Sequence, residues 1–218
     1  MTPRQSLLAE AAKRDLLTDG AWGTEIQARK LGEADFAGNL GLGREQKGNN
    51  DILALTRPDV VEAIARSYLE AGSDIISTNT FSSTRISQAD YGAEHLVREL
   101  NLANAGIARR LADEFAARDE RPRFVAGAIG PTNKTLSLSP DVNDPGFREI
   151  DWDFLVEVYH QQAAALIEGG ADFILVETVF DTLNAKAAIM AVRQLERELG
   201  REVPLMLSMT LTDLSGRN

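Results

Sequence analysis

The sequence contains no cysteine and only two histidines, His95 and His160. Without cysteine there can be no disulfide, no thiol nucleophile and no thiolate ligand for a metal ion. Two histidines are also too few to build a histidine-rich metal cage. Both lie in stretches with helical spacing, where we expect them to pack against neighbours or to face solvent.

Basic residues and long apolar runs are scarce too. The chain has 23 Lys and Arg against 33 Asp and Glu, which gives a formal net charge of -10. This balance argues against nucleic-acid and anionic-membrane partners, because both bind basic surfaces. No run approaches the roughly 18 apolar residues of a membrane span, and residues 1–13 lack the apolar centre of a signal peptide. We therefore expect a cytoplasmic protein with no nucleic acid and no membrane among its partners.

The glycine-rich signatures of nucleotide binding are missing as well. The segment DGAWGT at 19–24 follows the first apolar run but does not fit G-x-G-x-x-G, and no G-x-x-x-x-G-K-[ST] occurs. Because those loops hold phosphate groups through their backbone, their absence weakens a dinucleotide-binding or nucleotide-binding interpretation.

Apolar runs and helical stretches alternate along the whole chain, in which 44% of the residues are hydrophobic. Most of the runs are continuous, which is typical of parallel strands buried on both faces. Residues 69–76 and 167–174 resemble each other, and both predict a helix end, a glycine break and a strand. The pattern predicts one α/β domain over residues 1–218, with a parallel sheet that is doubly wound or a barrel. The predicted strands cover residues 15–18, 74–78, 124–128, 173–177 and 204–209.

Polar residues gather where these strands end, and in a barrel the active site is built at that end. Two carboxylates, those of Asp19 and Glu177, would enter one mouth. There they could hold an ammonium group by charge-assisted hydrogen bonds, or serve as acid and base. The strand-end residues are Asp19 and Gly20, Asn79 and Thr80, residues 130–133, Glu177 and Thr178, and Thr210, Thr212 and Asp213.

Structural roles compete with these functional ones. Asp19 could cap the turn that an Asp-Gly pair favours. Glu177 could belong to a salt bridge, because an unpaired carboxylate after an apolar strand is costly. Loop capping explains Asn79 and Thr80 as well as ligand contact does.

Six motifs stand out: DGAWGT at 19–24, KGNND at 47–51, TNTF at 78–81, GPTN at 130–133, SPDVNDP at 139–145 and ETVFDTLNAK at 177–186. Together they resemble the first, homocysteine-binding domain of cobalamin-dependent methionine synthase, within the homocysteine methyltransferase family. The similarity extends over nearly the whole chain. PDVNDP and ETVFDTLNAKAA are typical of methionine synthase within that family, and Trp22 stands where methionine is more usual.

The resemblance implies a (β/α)8 TIM barrel that binds homocysteine and gives methionine, with the methyl group carried on cobalamin. In such enzymes a zinc ion held by three cysteines binds the substrate sulfur and lowers the pKa of the thiol. Asp19 and Glu177 match the positions that hold the amino group, and the backbone around Gly20 and Ala21 would lie near the carboxylate. The expected substrate-binding residues are Asp19, Gly20, Ala21, Asn79, Thr80 and Glu177.

The chain departs from the family at the zinc ligands. The family's cysteines lie near the sixth and eighth strands, whereas this sequence ends just after the fifth predicted strand and has no cysteine. We expect a truncated barrel of about five βα units, without ligands for zinc or cobalamin and inactive alone. Its partners would be the remaining methionine synthase domains or a separate chain carrying them.

Two other functions stay open. The chain could be a non-catalytic subunit that binds an amino acid or completes a barrel with another chain. It could also be an unrelated barrel enzyme, such as an aldolase or a phosphate-sugar isomerase. No lysine lies at a strand end to form a Schiff base, which weakens the aldolase alternative.

Overall fold

The computed structural model describes residues 1–211. The candidate residues Thr212 and Asp213 lie outside this range. The strands are β1 (Ile75–Ser77), β2 (Phe124–Ile129), β3 (Phe173–Val179) and β4 (Leu205–Met209). The helices are α1 (Pro3–Ala11), α2 (Trp22–Ala28), α3 (Glu33–Ala37), α4 (Leu53–Thr56), α5 (Pro58–Glu70), α6 (Arg85–Gln88), α7 (Val97–Asp119), α8 (Trp152–Glu168) and α9 (Thr182–Leu199). In this part of the chain no helix has the length and apolar character needed to cross a membrane.

The four strands form one parallel sheet. Each strand pairs with the next strand along the chain, in the order β1-β2-β3-β4. A doubly wound sheet reverses its strand order at a switch point, and this sheet does not reverse. The sequential order is that of a barrel, so the prediction of a parallel α/β fold of the barrel type is confirmed.

The prediction of a strand at residues 15–18 is wrong in its extent. This segment lies beside β1, but it is joined to the sheet by a single parallel bridge between Thr18 and Ile75. The N–H of Leu17 donates to the Asp74 carboxylate at 3.0 Å rather than to a strand carbonyl. Backbone hydrogen bonds still join the segment to β1, from the N–H of Ile75 to the carbonyl of Leu17 and from the N–H of Asp19 to the carbonyl of Ile75.

The two faces of the sheet have different neighbours. On the outer face, Val125 and Ile174 belong to the main hydrophobic cluster, which includes buried residues of α7, α8 and α9. On the inner face, Ile75, Phe124 and Phe173 form a smaller cluster. Because side chains alternate along a strand, α7, α8 and α9 cover the outer face of the sheet, while the inner face forms the barrel interior, where Leu7 of α1 packs against the smaller cluster.

The repeat found in the sequence has a structural counterpart at the start of β1 and β3. Asp74 forms hydrogen bonds with both backbone groups of Leu17. Its backbone N–H donates to the Leu17 carbonyl at 2.8 Å, and its carboxylate accepts from the Leu17 N–H at 3.0 Å. Asp172 bonds the carbonyl and the N–H of Val125 in the same way, at 2.9 and 2.8 Å. Each aspartate therefore fastens a new strand to the preceding segment of the sheet.

Helix ends follow local signals in the sequence. Pro58 is the first residue of α5, and Gly200 ends α9 in the left-handed conformation with φ 63°, which are the usual places of proline and glycine at helix ends. Asp151 caps α8 by accepting from the N–H of Phe154 at 2.8 Å. Asp181 caps α9 and also accepts from Ser137. This second contact ties the long loop after β2 to the start of α9.

Candidate active site

A cavity of about 740 Å³ opens at the carboxyl ends of the strands. Its walls come from the segment after Thr18, from the end of β1 and the loop after it, and from the inner faces of β3 and β4. Six sequence-predicted residues line it together: Asp19, Gly20, Ala21, Asn79, Thr80 and Glu177.

The third predicted strand end is only partly involved. Gly130 and Pro131 line a neighbouring cleft that shares Glu177 with the main cavity. The side chains of Thr132 and Asn133 are bonded elsewhere, to Lys134 at 2.7 Å and Asp90 at 3.0 Å. The GPTN segment therefore shapes the rim of the site more than its walls.

The carboxylate of Asp19 is held through one oxygen. Oδ2 accepts from the N–H of Ser77 at 2.8 Å, from the Ser77 hydroxyl at 2.7 Å and from the indole Nε1 of Trp22 at 3.1 Å. Burial raises the pKa of Asp19, and these donors oppose the shift. Within residues 1–211 no other residue donates a hydrogen bond to the second oxygen, Oδ1.

Gly20 lies against Tyr68, so a side chain at this position would displace the Tyr68 ring. A Cβ at Gly20 would lie 2.8 Å from Cε1 of Tyr68. The Tyr68 hydroxyl donates to the carbonyl of Ala21 at 3.0 Å. In the described part of the chain, the backbone N–H groups of Gly20 and Ala21 have no hydrogen-bond acceptor. The Tyr68 side chain thus holds the turn in place, and the N–H groups of Gly20 and Ala21 stay free to bind a ligand.

Glu177 lies at an irregular point of β3. The pairing of β3 with β4 shifts register between Val176 and Val179, and Thr178 has a φ of 57°. A β-branched residue rarely adopts this conformation, and bulges often redirect a side chain beside a functional site. Burial raises the pKa of Glu177, and the charge of Asp19 raises it further. No hydrogen-bond or ion-pair partner for Glu177 is found among residues 1–211.

Asn79 and Thr80 differ in how much of each side chain is free. The Asn79 amide donates to the carbonyl of Asn50 at 2.8 Å. The Thr80 hydroxyl is fully buried and donates to the carbonyl of Ala128 at 2.7 Å. Thr80 is therefore committed to the packing of β1 against β2, and Asn79 is the one of the two with capacity left for a ligand.

A third carboxylate, that of Asp51, lies in the cavity wall and is absent from the sequence predictions. It is only 3% exposed. Oδ2 accepts from the N–H of Ser82 at 2.7 Å and from the hydroxyl of Ser83 at 2.8 Å, while burial raises the pKa of Asp51 to about 6. Because the partners are distant in sequence, the KGNND motif is the one signal that points to this residue.

Buried amides hold the Asp51 wall in place. The side chains of Asn49 and Gln88 exchange two hydrogen bonds, at 2.9 and 3.0 Å. Gln88 also donates to the carbonyl of Ser82 at 3.1 Å, and Asn104 donates to the carbonyl of Asp51 at 3.2 Å. A buried network with its donors paired is rigid, so this wall is preformed.

The residues of this chain do not fit the three-thiolate zinc site that the motifs imply. Residues 1–211 contain no group of three or more His, Cys, Asp or Glu side chains able to hold a metal ion, and the sequence has no cysteine. His95 is exposed and His160 is bonded to Glu198 at 2.8 Å, as expected for packing or surface residues.

The family model described as Homocysteine S-methyltransferase matches residues 16–218. The chain belongs to the homocysteine S-methyltransferase family. The fold is similar to crystal structures of the homocysteine methyltransferase MmuM from Escherichia coli. The metallated form gives a TM-score of 0.69 at 23% identity, covering 95% of this chain and 67% of that one. The oxidized form gives a TM-score of 0.68 at 22% identity, and the match covers 98% of this chain and 67% of that one. The apo form gives a TM-score of 0.64 at 20% identity, and the match covers 97% of this chain and 65% of that one.

At these identities the likeness to MmuM shows the fold alone, and this homocysteine S-methyltransferase chain spans about two thirds of the length of the MmuM chains. The family expected from the motifs is confirmed, and so is the α/β fold of the TIM-barrel type. An aldolase or phosphate-sugar isomerase is thereby set aside. The assignment to cobalamin-dependent methionine synthase within the family stays a prediction.

Proposed function

We propose that this domain binds homocysteine in the cavity, with the ammonium group of the amino acid between Asp19 and Glu177. The observation that carries the proposal is a pair of carboxylates with unpaired oxygens on the walls of one cavity. A bound ammonium group would form charge-assisted hydrogen bonds to both and offset the repulsion between them. The free N–H groups of Gly20 and Ala21 suit the substrate carboxylate, and Asn79 offers a further polar contact.

In this proposal the chain binds and orients the amino acid, and the thiol is the reacting group. The thiol sulfur attacks the methyl carbon of the donor, a carbon–sulfur bond forms, the bond to the donor breaks, and the thiol proton is lost to give methionine. Orientation contributes by bringing the sulfur to the methyl group in a fixed geometry. Activation of the thiol is assigned to residues outside this chain, because it has no cysteine.

We further propose that the domain belongs to a cobalamin-dependent methionine synthase of the cytoplasm. The PDVNDP and ETVFDTLNAKAA stretches support this assignment within the family. The corrinoid then supplies the methyl group, and the remaining domains, or a separate chain carrying them, complete the site.

Calorimetric titration of the 218-residue chain with homocysteine tests the substrate proposal. We expect binding by the unaltered chain and binding weakened roughly 30-fold or more by Asp19→Asn or Glu177→Gln, since removing one partner of a buried pair costs at least about 2 kcal/mol. Glu70→Gln, an exposed change on α5, should bind like the unaltered chain. Mercaptobutanoate, which lacks the amino group, should bind weakly and equally to all four. Equal homocysteine affinity in all four proteins would contradict the proposal.

A non-catalytic subunit that completes a barrel with another chain is the alternative, and one observation favours it. β4 pairs with β3 on one side only among the described strands. Its residues Met206, Leu207 and Met209 are 37%, 45% and 49% exposed, and apolar strands are usually covered. Co-purification with a chain supplying further βα units, combined with homocysteine binding that needs neither Asp19 nor Glu177, would favour this alternative.

A further inference from the structure

Trp22 lies between the candidate substrate site and the core of the barrel. It is the first residue of α2 and lines the cavity. Its ring is partly buried and packs against both large hydrophobic clusters. A tryptophan in this setting usually finds an acceptor for its N–H. The acceptor here is Asp19, one of the two residues proposed to bind the substrate.

The indole N–H is shared between two oxygens. Nε1 lies 3.1 Å from Oδ2 of Asp19 and 3.1 Å from Oγ of Ser77. The Ser77 hydroxyl in turn donates to the same Oδ2 at 2.7 Å, and the Ser77 N–H adds a third donor at 2.8 Å. All three protein donors therefore converge on one carboxylate oxygen.

This convergence fixes the plane of the carboxylate. An aspartate with one donor can rotate about χ2, whereas donors from α2 and from β1 hold Oδ2 from two directions. Oδ1 accepts from no other described residue and belongs to a side chain that lines the cavity. A preorganised acceptor binds a cation without first giving up its own rotational freedom.

We propose that Trp22 is a positioning residue that acts through Asp19: with Ser77 it holds one carboxylate oxygen so that the other receives the ammonium group of the substrate. The inference rests on the proposed homocysteine site and adds a residue whose contribution does not require contact with the substrate. A purely structural Trp22 would support the fold without changing how the site distinguishes ligands with and without an amino group.

The direct test compares Trp22→Phe with Trp152→Phe in the full 218-residue chain. Trp22→Phe keeps an aromatic wall but removes the N–H, and Trp152→Phe changes the one other tryptophan, at the start of α8. We expect Trp22→Phe to weaken homocysteine binding about tenfold, the loss typical of one hydrogen bond to a charged group, and to leave mercaptobutanoate binding unchanged. Trp152→Phe should change neither. Equal weakening of both ligands, or of neither, would overturn the inference.

A second measurement needs no ligand and separates this inference from the proposed function. In the Trp152→Phe protein Trp22 is the sole tryptophan, so its fluorescence reports on its own surroundings. We expect a fluorescence transition when Asp19 is protonated, and the loss of that transition on adding Asp19→Asn. Among the described residues, Glu177 and Tyr68 also interact electrostatically with Asp19, so Glu177→Gln should shift the transition without abolishing it.

The outcomes of the two measurements are distinct. If the unaltered chain fails to bind homocysteine while the fluorescence transition depends on Asp19, the proposed substrate fails and the Trp22–Asp19 coupling stands. If homocysteine binds and depends on Asp19, but Trp22 fluorescence is insensitive to Asp19, the positioning inference fails. Melting temperatures of Trp22→Phe and Trp152→Phe identify any general loss of folding.

Discussion

Glu177 is a carboxylate placed where burial and a like charge both oppose its ionisation. Since these effects raise the pKa of Glu177 in the folded chain, the group adds stability at low pH. That contribution is lost as the pH rises through the folded pKa. The uncompensated charge at neutral pH is consistent with a site that awaits a cationic ligand.

We therefore expect Glu177→Gln to stabilise the ligand-free chain at pH 7 while weakening homocysteine binding. Relief of about 1 kcal/mol would raise Tm by roughly 2–4 °C in a domain of this size. The gain should disappear below roughly pH 4, where the native residue is protonated in the unfolded chain as well. Thermal melts at both pH values check this, and a lower Tm at pH 7 would show that Glu177 has a stabilising partner.

Asp51 predicts a pH dependence that can be assigned to one residue. Its pKa of about 6 in the folded chain is raised from the usual ~3.9 of an unfolded aspartate. The contribution of Asp51 to stability is thus fully present below the unfolded pKa and is lost as the pH rises through about 6. Asparagine keeps an acceptor for Ser82 and Ser83 but cannot ionise.

Asp51→Asn should accordingly flatten the pH profile of stability. Between about pH 4 and 7 the unaltered chain should lose roughly 2–3 kcal/mol relative to the variant. Urea denaturation across this range provides the measurement. Parallel pH profiles for the two proteins would mean that Asp51 ionises with an ordinary pKa.

At the scale of elements, the two strand-fastening aspartates differ in their charge partners. Asp74 accepts from Arg14 at 2.7 and 2.8 Å and from Arg121 at 2.9 Å, while Asp172 pairs with Arg109 at 2.9 Å. Burial alone raises both pKa values. For Asp74 the Arg14 hydrogen bonds, the backbone donor and the two cations reverse the shift, so its pKa is lowered, whereas that of Asp172 stays raised.

Asparagine at each position keeps the backbone contacts and removes the charge. Asp74→Asn should cost about 2 kcal/mol at pH 7, because two arginines lose a buried partner. Asp172→Asn should cost less than half as much. The cost at Asp74 should fall as the pH drops through its lowered folded pKa, since its charge contributes stability only where it is ionised. Urea denaturation of both variants decides this, and equal costs at pH 7 would contradict the argument.

Gly130 joins the end of β2 to the loop after β1 by close backbone contact. A Cβ there would lie 2.5 Å from the carbonyl oxygen of Phe81, whereas a Cβ at Gly106, within α7, would meet nothing within 4 Å. We expect Gly130→Ala to destabilise the chain by about 1–3 kcal/mol, and Gly106→Ala to stabilise it by about 0.5–1 kcal/mol. Thermal melts of the two variants, compared with the unaltered chain, provide the measurement. A tolerated Gly130→Ala would show that this loop moves easily.

For the molecule as a whole, we expect the 218-residue chain to bind homocysteine without methylating it. A thiol with a pKa near 8.5 is only a few per cent ionised at pH 7, and no cysteine is present to bind a thiol-activating metal. The assay supplies zinc, homocysteine and methylcobalamin and measures methionine against an enzyme-free control. Methionine well above that control, with stoichiometric zinc bound, would show that a metal site has been missed.

The sequence predicts the sheet well where strands are buried on both faces. The continuous apolar runs at 124–128 and 173–177 fall within β2 and β3. It overestimates the segment at residues 15–18, which forms a single bridge to β1, because the extent of pairing depends on a partner that is remote in sequence. The position of Asp19 and Glu177 at strand ends also predicted that they share one cavity, since the carboxyl ends of parallel strands meet at one side of a barrel. Asp51 and the Trp22–Ser77 contact could not be found this way, because their partners are remote in sequence.

The sequential strand order has a consequence for how the chain is made. Each strand pairs with one that precedes it directly in the sheet order, so its hydrogen-bonding partner has already been synthesised when it leaves the ribosome. No strand among residues 1–211 must wait beside an open position for a later segment to be inserted between it and its neighbour, as happens in a doubly wound sheet. Translation and sheet growth thus proceed in the same direction, and each new strand is added at the edge of the sheet that was formed last.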